Sequence, residues 1–152
     1  MLSRKIYKSF RFALSGLNYC IKNERNFRIH LLAMLTVALI SPYYRFTAAQ
    51  MVLLTLVISL VIISEMLNTA IEAAIDLFIS EYNELAETAK DVSAGAVLVS
   101  AFCAALCGVY MFLDLEILHN IFIDISGSPL KIGITLIYIT AGYLFVRGFD
   151  KK

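Results

Sequence analysis

The chain has 152 residues, of which 60% are hydrophobic and only 16% charged, with a net charge of +1 and a mean hydropathy of +0.78. A soluble domain carries about a quarter charged residues, so this composition excludes an ordinary water-soluble globule and points to one lipid-embedded, all-α membrane domain. No basic groove interleaved with aromatics is present, which excludes nucleic acid as a partner.

Residues 3–26 are too polar to span a bilayer. At helical period Ile6, Phe10, Ala13, Leu14, Leu17 and Ile21 share one arc, and Lys5, Lys8, Arg11 and Lys22 fall on another. That pattern predicts a basic amphipathic helix lying in the interface of an anionic membrane. No cleavable signal peptide is expected, because this region lacks a short apolar core followed by a small-residue cleavage site.

Spanning segments follow over about 31–46, 48–78 and 92–113, with a weaker fourth over 132–146 between Lys131 and Arg147. The second would be ~45 Å long against a hydrocarbon core of ~30 Å, so its end should stand out in water. Thr88 and Asp91 precede the third with capping-box spacing, and residues 80–91 read as a connector. Ala94, Ala101, Ala105 and Gly108 on the third permit close helix packing. No internal repeat or linker divides the chain. Residues 1–113 form one membrane domain and 114–152 an extension.

Charge sets the orientation. Arg4, Lys5, Lys8, Arg11, Lys22, Arg25 and Arg28 all precede the first span, which predicts a cytoplasmic N-terminus. Arg45 and Lys131 stand alone in the outward segments. Lys90 and the tail residues Arg147, Lys151 and Lys152 return to the inside, so the C-terminus is expected to be cytoplasmic too.

The chemistry concentrates in "EMLNTAIEAAID", residues 65–76. Glu65, Asn68, Thr69, Glu72 and Asp76 fall within an arc of about 100° on one helix face. Carboxylates in a membrane segment are expensive and normally face a cavity or a partner helix. Glu65 and Glu72 are ~10 Å apart along the axis, too far to share one ion easily. Glu72 lies nearer the cytoplasmic water, where a hydrated divalent ion is at hand. Glu65 lies deeper and suits a general base that takes a proton from a lipid-borne group. Glu24 in "NERNFRIH" should lie at the same interface and is the natural second carboxylate for an ion such as Mg²⁺. Lys90 beside Asp91 could hold phosphate and ribose, although no Walker A loop is present.

Two other residue types read as background. Cys20, Cys103 and Cys107 form no CxxC and suit packing, since buried cysteine behaves as a small hydrophobe. His30 and His119 fall on opposite sides of the membrane and read as interfacial residues. No GxSxG or buried Ser-His-Asp arrangement is present.

Four motifs in order, "NERNFRIH", "EMLNTAIEAAID", "SEYNELAETAKD" and "AKDVSAGAVLV", resemble those of the small bacterial integral-membrane lipid kinases, the prokaryotic diacylglycerol kinase and undecaprenol kinase family. The resemblance covers about residues 5–113. It implies a homotrimer in the bacterial inner membrane, with active sites shared between subunits at the cytoplasmic face. There the γ-phosphate of ATP, held with Mg²⁺, would pass to a membrane lipid alcohol. By motif, it implies Glu65 as general base with Asn68 beside it, and Glu24 and Glu72 as the metal-bridging carboxylates. Glu81, Tyr82, Asn83, Lys90 and Asp91 would contact the nucleotide, as would Lys5 and Lys8 in a poorly matched region. Glu65 and Ala94 would contact the lipid. "ERNFRIH" and "KDVSAGAVLV" are closer to the Gram-positive branch, which implies undecaprenol as acceptor, with diacylglycerol as the alternative. The chain departs from the family after residue 113, where its fourth span is additional. From another class, a cation-coupled transporter with Glu65 as proton relay also satisfies the stripe, but it leaves Glu24 and the "AKD" loop unexplained.

Overall fold

The structure is a computed structural model that describes residues 2–79 and 81–148, with side chains from residue 4. Ser80, Lys151 and Lys152 lie outside the described residues. The chain is all-α, without a strand among the described residues. Its helices are α1 (Leu2–Asn23), α2 (Arg25–Ile40), α3 (Ala48–Phe78), α4 (Glu84–Phe112), α5 (Leu115–Ser126) and α6 (Pro129–Arg147), with a 3₁₀ turn at Ser41–Tyr44. Four stretches are long and apolar enough to cross a membrane, residues 25–44, α3, α4 and α6, and the most apolar 18 residues within them average hydropathies of 1.3, 2.2, 2.2 and 1.5. Among the described residues the buried apolar side chains are Cys20, Phe27, Leu54 and Val61, while most large apolar side chains face outward. Lipid as solvent dictates that inversion, because a leucine gains nothing by leaving lipid for protein and helix contacts fall to small and polar residues.

Local chemistry sets the helix ends. Glu24 takes an extended backbone, so the basic helix stops at Asn23 rather than 26 and the chain restarts as α2. The first span ends near Tyr44, where the 3₁₀ turn around Pro42 gives way to Arg45 in the left-handed region (φ 47°). Thr47 and Gln50 form a reciprocal capping box at the start of α3. Asn83 opens α4, its Oδ1 accepting from the backbone N–H groups of Leu85 and Ala86 at 3.0 and 3.1 Å. The cap expected at Thr88 does not form. Thr88 lies inside the helix and donates to the Glu84 carbonyl, because Asn83 meets the orphan amides one turn earlier. The connector therefore shrinks, and residues 84–91 are helical. Asp114 caps α5, a helix in the extension that the sequence reading did not anticipate.

α3 and α4 form the main helix pair, α2 packs on α3, α6 packs on α2 and α5, and α1 rests against α2 and α3. Tyr44, Phe46 and Phe112 pack together where the α2–α3 turn meets the end of α4, with ring centroids 4.9–5.4 Å apart and the Tyr44 hydroxyl donating to the Phe112 carbonyl at 2.8 Å. The added helix α6 is fastened to α2 at three levels. The Thr36 and Tyr138 hydroxyls share a 2.6 Å hydrogen bond. Gly142 lies so close to Leu32 that a Cβ there would meet its side chain at 3.0 Å. Buried Arg28 donates to the carbonyls of Ile21 and Lys22, which end α1, and of Val146 near the end of α6. A guanidinium there faces the negative ends of two helix dipoles at once.

Candidate active site

The polar stripe of α3 meets side chains from α2, from α4 and from the break between α1 and α2. Glu65 is 3% exposed. Its Oε1 has no hydrogen-bond partner among the described residues, although His30 Nε2 of α2 lies 3.3 Å away. The contact is close enough for an ion pair but is not aligned as a hydrogen bond. Thr69, one turn on, donates to the Glu65 carbonyl at 3.0 Å. From α4, Ser93 donates to Asn68 Oδ1 at 2.6 Å, and Asn68 Nδ2 donates to Glu72 Oε1 at 2.9 Å. The amide can serve both neighbours because one end accepts and the other donates.

Glu24 reaches the group from the break between α1 and α2. Its side chain makes no capping hydrogen bond. Burial pushes its carboxyl above the ordinary carboxylate range, the charge of Glu72 pushes it further, and Arg28 acts in the opposite sense. Glu24 and Glu72 thus form a pair of mutually repelling acids, the field that a divalent cation relieves. No cluster of three or more metal-ligating side chains forms among the described residues. Two carboxylates nonetheless suit Mg²⁺, which commonly takes one or two from the protein and leaves its other positions to water and phosphate oxygens.

A cleft of about 230 Å³ lies between the end of α3 and the start of α4, lined by Asp76, Glu81, Tyr82, Asn83, Glu87 and Lys90. Four of the expected nucleotide contacts therefore share one cavity. Lys90 is held there by an ion pair with Asp76, and the Tyr82 phenol is raised above its ordinary range by its hydrogen bond to Glu87. Asn83 is engaged as the α4 cap. Asp91 and Ala94 are exposed and do not line that cleft, and Lys5 and Lys8 lie on the exposed surface of α1.

Three residues carry more than the sequence reading gave them. His30 is not a plain interfacial residue but the near neighbour of Glu65, whereas His119 is exposed on α5. Ser93 orients Asn68, and Asp76 orients Lys90. One signal was available: an acid buried in lipid needs a donor, and His30 directly precedes the apolar run 31–35 of α2. Of the cysteines, Cys20 packs in the interior as expected, but Cys103 is exposed.

The family model for prokaryotic diacylglycerol kinases matches residues 11–112. Among curated relatives, the chain is 41% identical over 106 residues to a diacylglycerol kinase of Synechocystis, covering 69% of this chain and 61% of that protein. It is 34% identical over 109 residues to the undecaprenol kinase of Bacillus subtilis, covering 72% and 89%. Against the diacylglycerol kinase of Escherichia coli it is 37% identical over 102 residues, covering 67% and 84%.

Proposed function

The chain belongs to the prokaryotic diacylglycerol kinase family, and we propose that it is a lipid kinase that moves the γ-phosphate of ATP to the hydroxyl of a membrane alcohol at the cytoplasmic face. The observation that carries this reading is Glu65: a buried carboxylate with a free oxygen, on the same helix face as the Asn68–Glu72 pair and one end of the cleft.

The reaction asks for positioning more than covalent chemistry. The acceptor hydroxyl gives its proton to Glu65 while its oxygen bonds to the γ-phosphorus. The bond from that phosphorus to the bridging oxygen breaks, and its electron pair leaves with ADP. Asn68 keeps Glu72 turned toward the phosphates, and Asp76 holds the Lys90 ammonium at the cleft. Tyr82, 82% exposed, offers its ring to the nucleotide. Mg²⁺ held by Glu24 and Glu72 would neutralise phosphate charge. The excess of Arg and Lys before the first span supports a cytoplasmic N-terminus and site. The wide apolar faces left outward suit a homotrimer that completes the site between subunits.

Undecaprenol is the acceptor we favour, because the relative named for that lipid is matched over nearly its whole length and "ERNFRIH" is closer to that branch. Diacylglycerol is the second reading, supported by the higher identity to the Synechocystis kinase. Purified protein given labelled ATP and Mg²⁺ with each lipid in turn decides between them. Label in neither lipid sinks the kinase reading, and proton-dependent flux without ATP would put a transporter in its place.

A further inference from the structure

Glu65 poses a problem that the carboxylate stripe leaves open. A buried acid in lipid is costly unless a donor faces it, and its Oε1 lacks a hydrogen bond. The guanidinium of Arg28 is engaged with the carbonyls of Ile21, Lys22 and Val146. The Thr69 hydroxyl donates to the Glu65 backbone, not to its side chain. Asn68 is engaged with Ser93 and Glu72. Glu24 and Glu72 are acids and repel. What remains facing Oε1 is the imidazole of His30, at 3.3 Å.

The ring also has a second neighbour. It lines an apolar groove of about 250 Å³ between α2, α3 and α4, bounded by Ala33, Val61, Ala101, Ala105 and Gly108 among others, and it is the one polar side chain on that wall. Its side chain is 22% exposed while that of Glu65 is 4% exposed. His30 therefore stands between this apolar groove and the buried acid.

We propose that His30 is a positioning residue for Glu65: a small turn of the ring aligns its Nε2–H on Oε1 across the present 3.3 Å, so that the other carboxylate oxygen faces a hydroxyl arriving from the groove. This rests on the reading of Glu65 as the proton acceptor. A carboxylate without that donor would be free to take another rotamer, and it would then be misplaced for the lipid hydroxyl. A misplacement of about 1 Å is enough to lower the rate about 100-fold.

The test compares His30→Ala and His30→Gln in the full-length protein, with undecaprenol and diacylglycerol assayed in parallel. His30→Ala should lower kcat about 10- to 100-fold, the range for partners that orient a reacting group, and leave the KM for MgATP and the apparent Tm near their original values. His30→Gln, whose amide can still donate, should recover most of the rate. In a Glu65→Asp background, where the carboxylate has already withdrawn, His30→Ala should cost less than about threefold, since the two changes share one interaction. The proposal falls if His30→Ala keeps its kcat, if Gln fails to rescue, or if the loss follows the Tm instead. Glu65→Gln separates the two readings. If that variant is inactive and His30→Ala is not, only the role of His30 is lost; if it transfers phosphate normally, both are.

Discussion

Ser93 of α4 donates to the amide oxygen of Asn68 at 2.6 Å, so the second long helix fixes the rotamer by which Asn68 holds Glu72. Replacing Asn68 with Asp keeps the shape but puts a third acid where a donor stood. We expect the KM for MgATP to rise about tenfold, the effect of one lost hydrogen bond of about 1.4 kcal/mol, with a smaller rise for Ser93→Ala. Steady-state kinetics at saturating lipid checks it, and an unchanged KM in Asn68→Asp would rule the amide out as an orienting group.

Glu65 and Glu72 should fail differently. Glu65→Gln removes the proton acceptor and is expected to lower kcat by at least about 100-fold, while nucleotide still binds. Glu72→Gln should instead weaken MgATP binding. Equilibrium nucleotide binding alongside single-turnover transfer distinguishes the two, and identical defects in both variants would contradict the division of labour.

Glu24 predicts a pH effect with a definite sign. Burial first and Glu72 second raise its folded-state pKa, so its contribution to stability is complete below the unfolded carboxylate value of about 4.3 and is lost as pH rises through the raised folded value. Mg²⁺ relieves the repulsion only once Glu24 is ionised. The Mg²⁺-induced rise in apparent Tm should therefore be larger at neutral pH than at pH values near about 4.3, and Glu24→Gln should flatten that difference. An equal Mg²⁺ effect at both pH values would count against Glu24 as a ligand.

Arg28 ties α1 and α6 to α2. Arg28→Ala should destabilise the protein by about 3 kcal/mol, seen as a fall of about 6–12 °C in apparent Tm in detergent, and free the C-terminal helix to early proteolysis. Gly148→Ala should do part of the same. Its φ of 78° disfavours a side chain, and a Cβ would come within 2.7 Å of the Arg28 guanidinium. Full stability in both variants would show that α6 is not fastened there.

Much of this was written in the linear order of residues. A helical period of apolar side chains is a local property, so the all-α class, the four apolar helices and the stripe from Glu65 to Asp76 could be read without coordinates. Exact ends could not. Asn83 outcompeted Thr88 as a cap, and α5 formed in a part of the extension where no helix was expected, because caps compete over single turns and short helices take their stability from neighbours.

Partnership across helices is where the sequence stopped and the tertiary structure decided. Nothing in the order of residues says that His30 meets Glu65, that Ser93 meets Asn68, that Asp76 takes Lys90, or that Arg28 closes on Val146. In lipid the apolar faces do not sort themselves by hydrophobicity, so the register of one helix on another is set by small residues and hydrogen bonds. Which acid ends up buried beside a donor, and which faces the water, follows from that register alone.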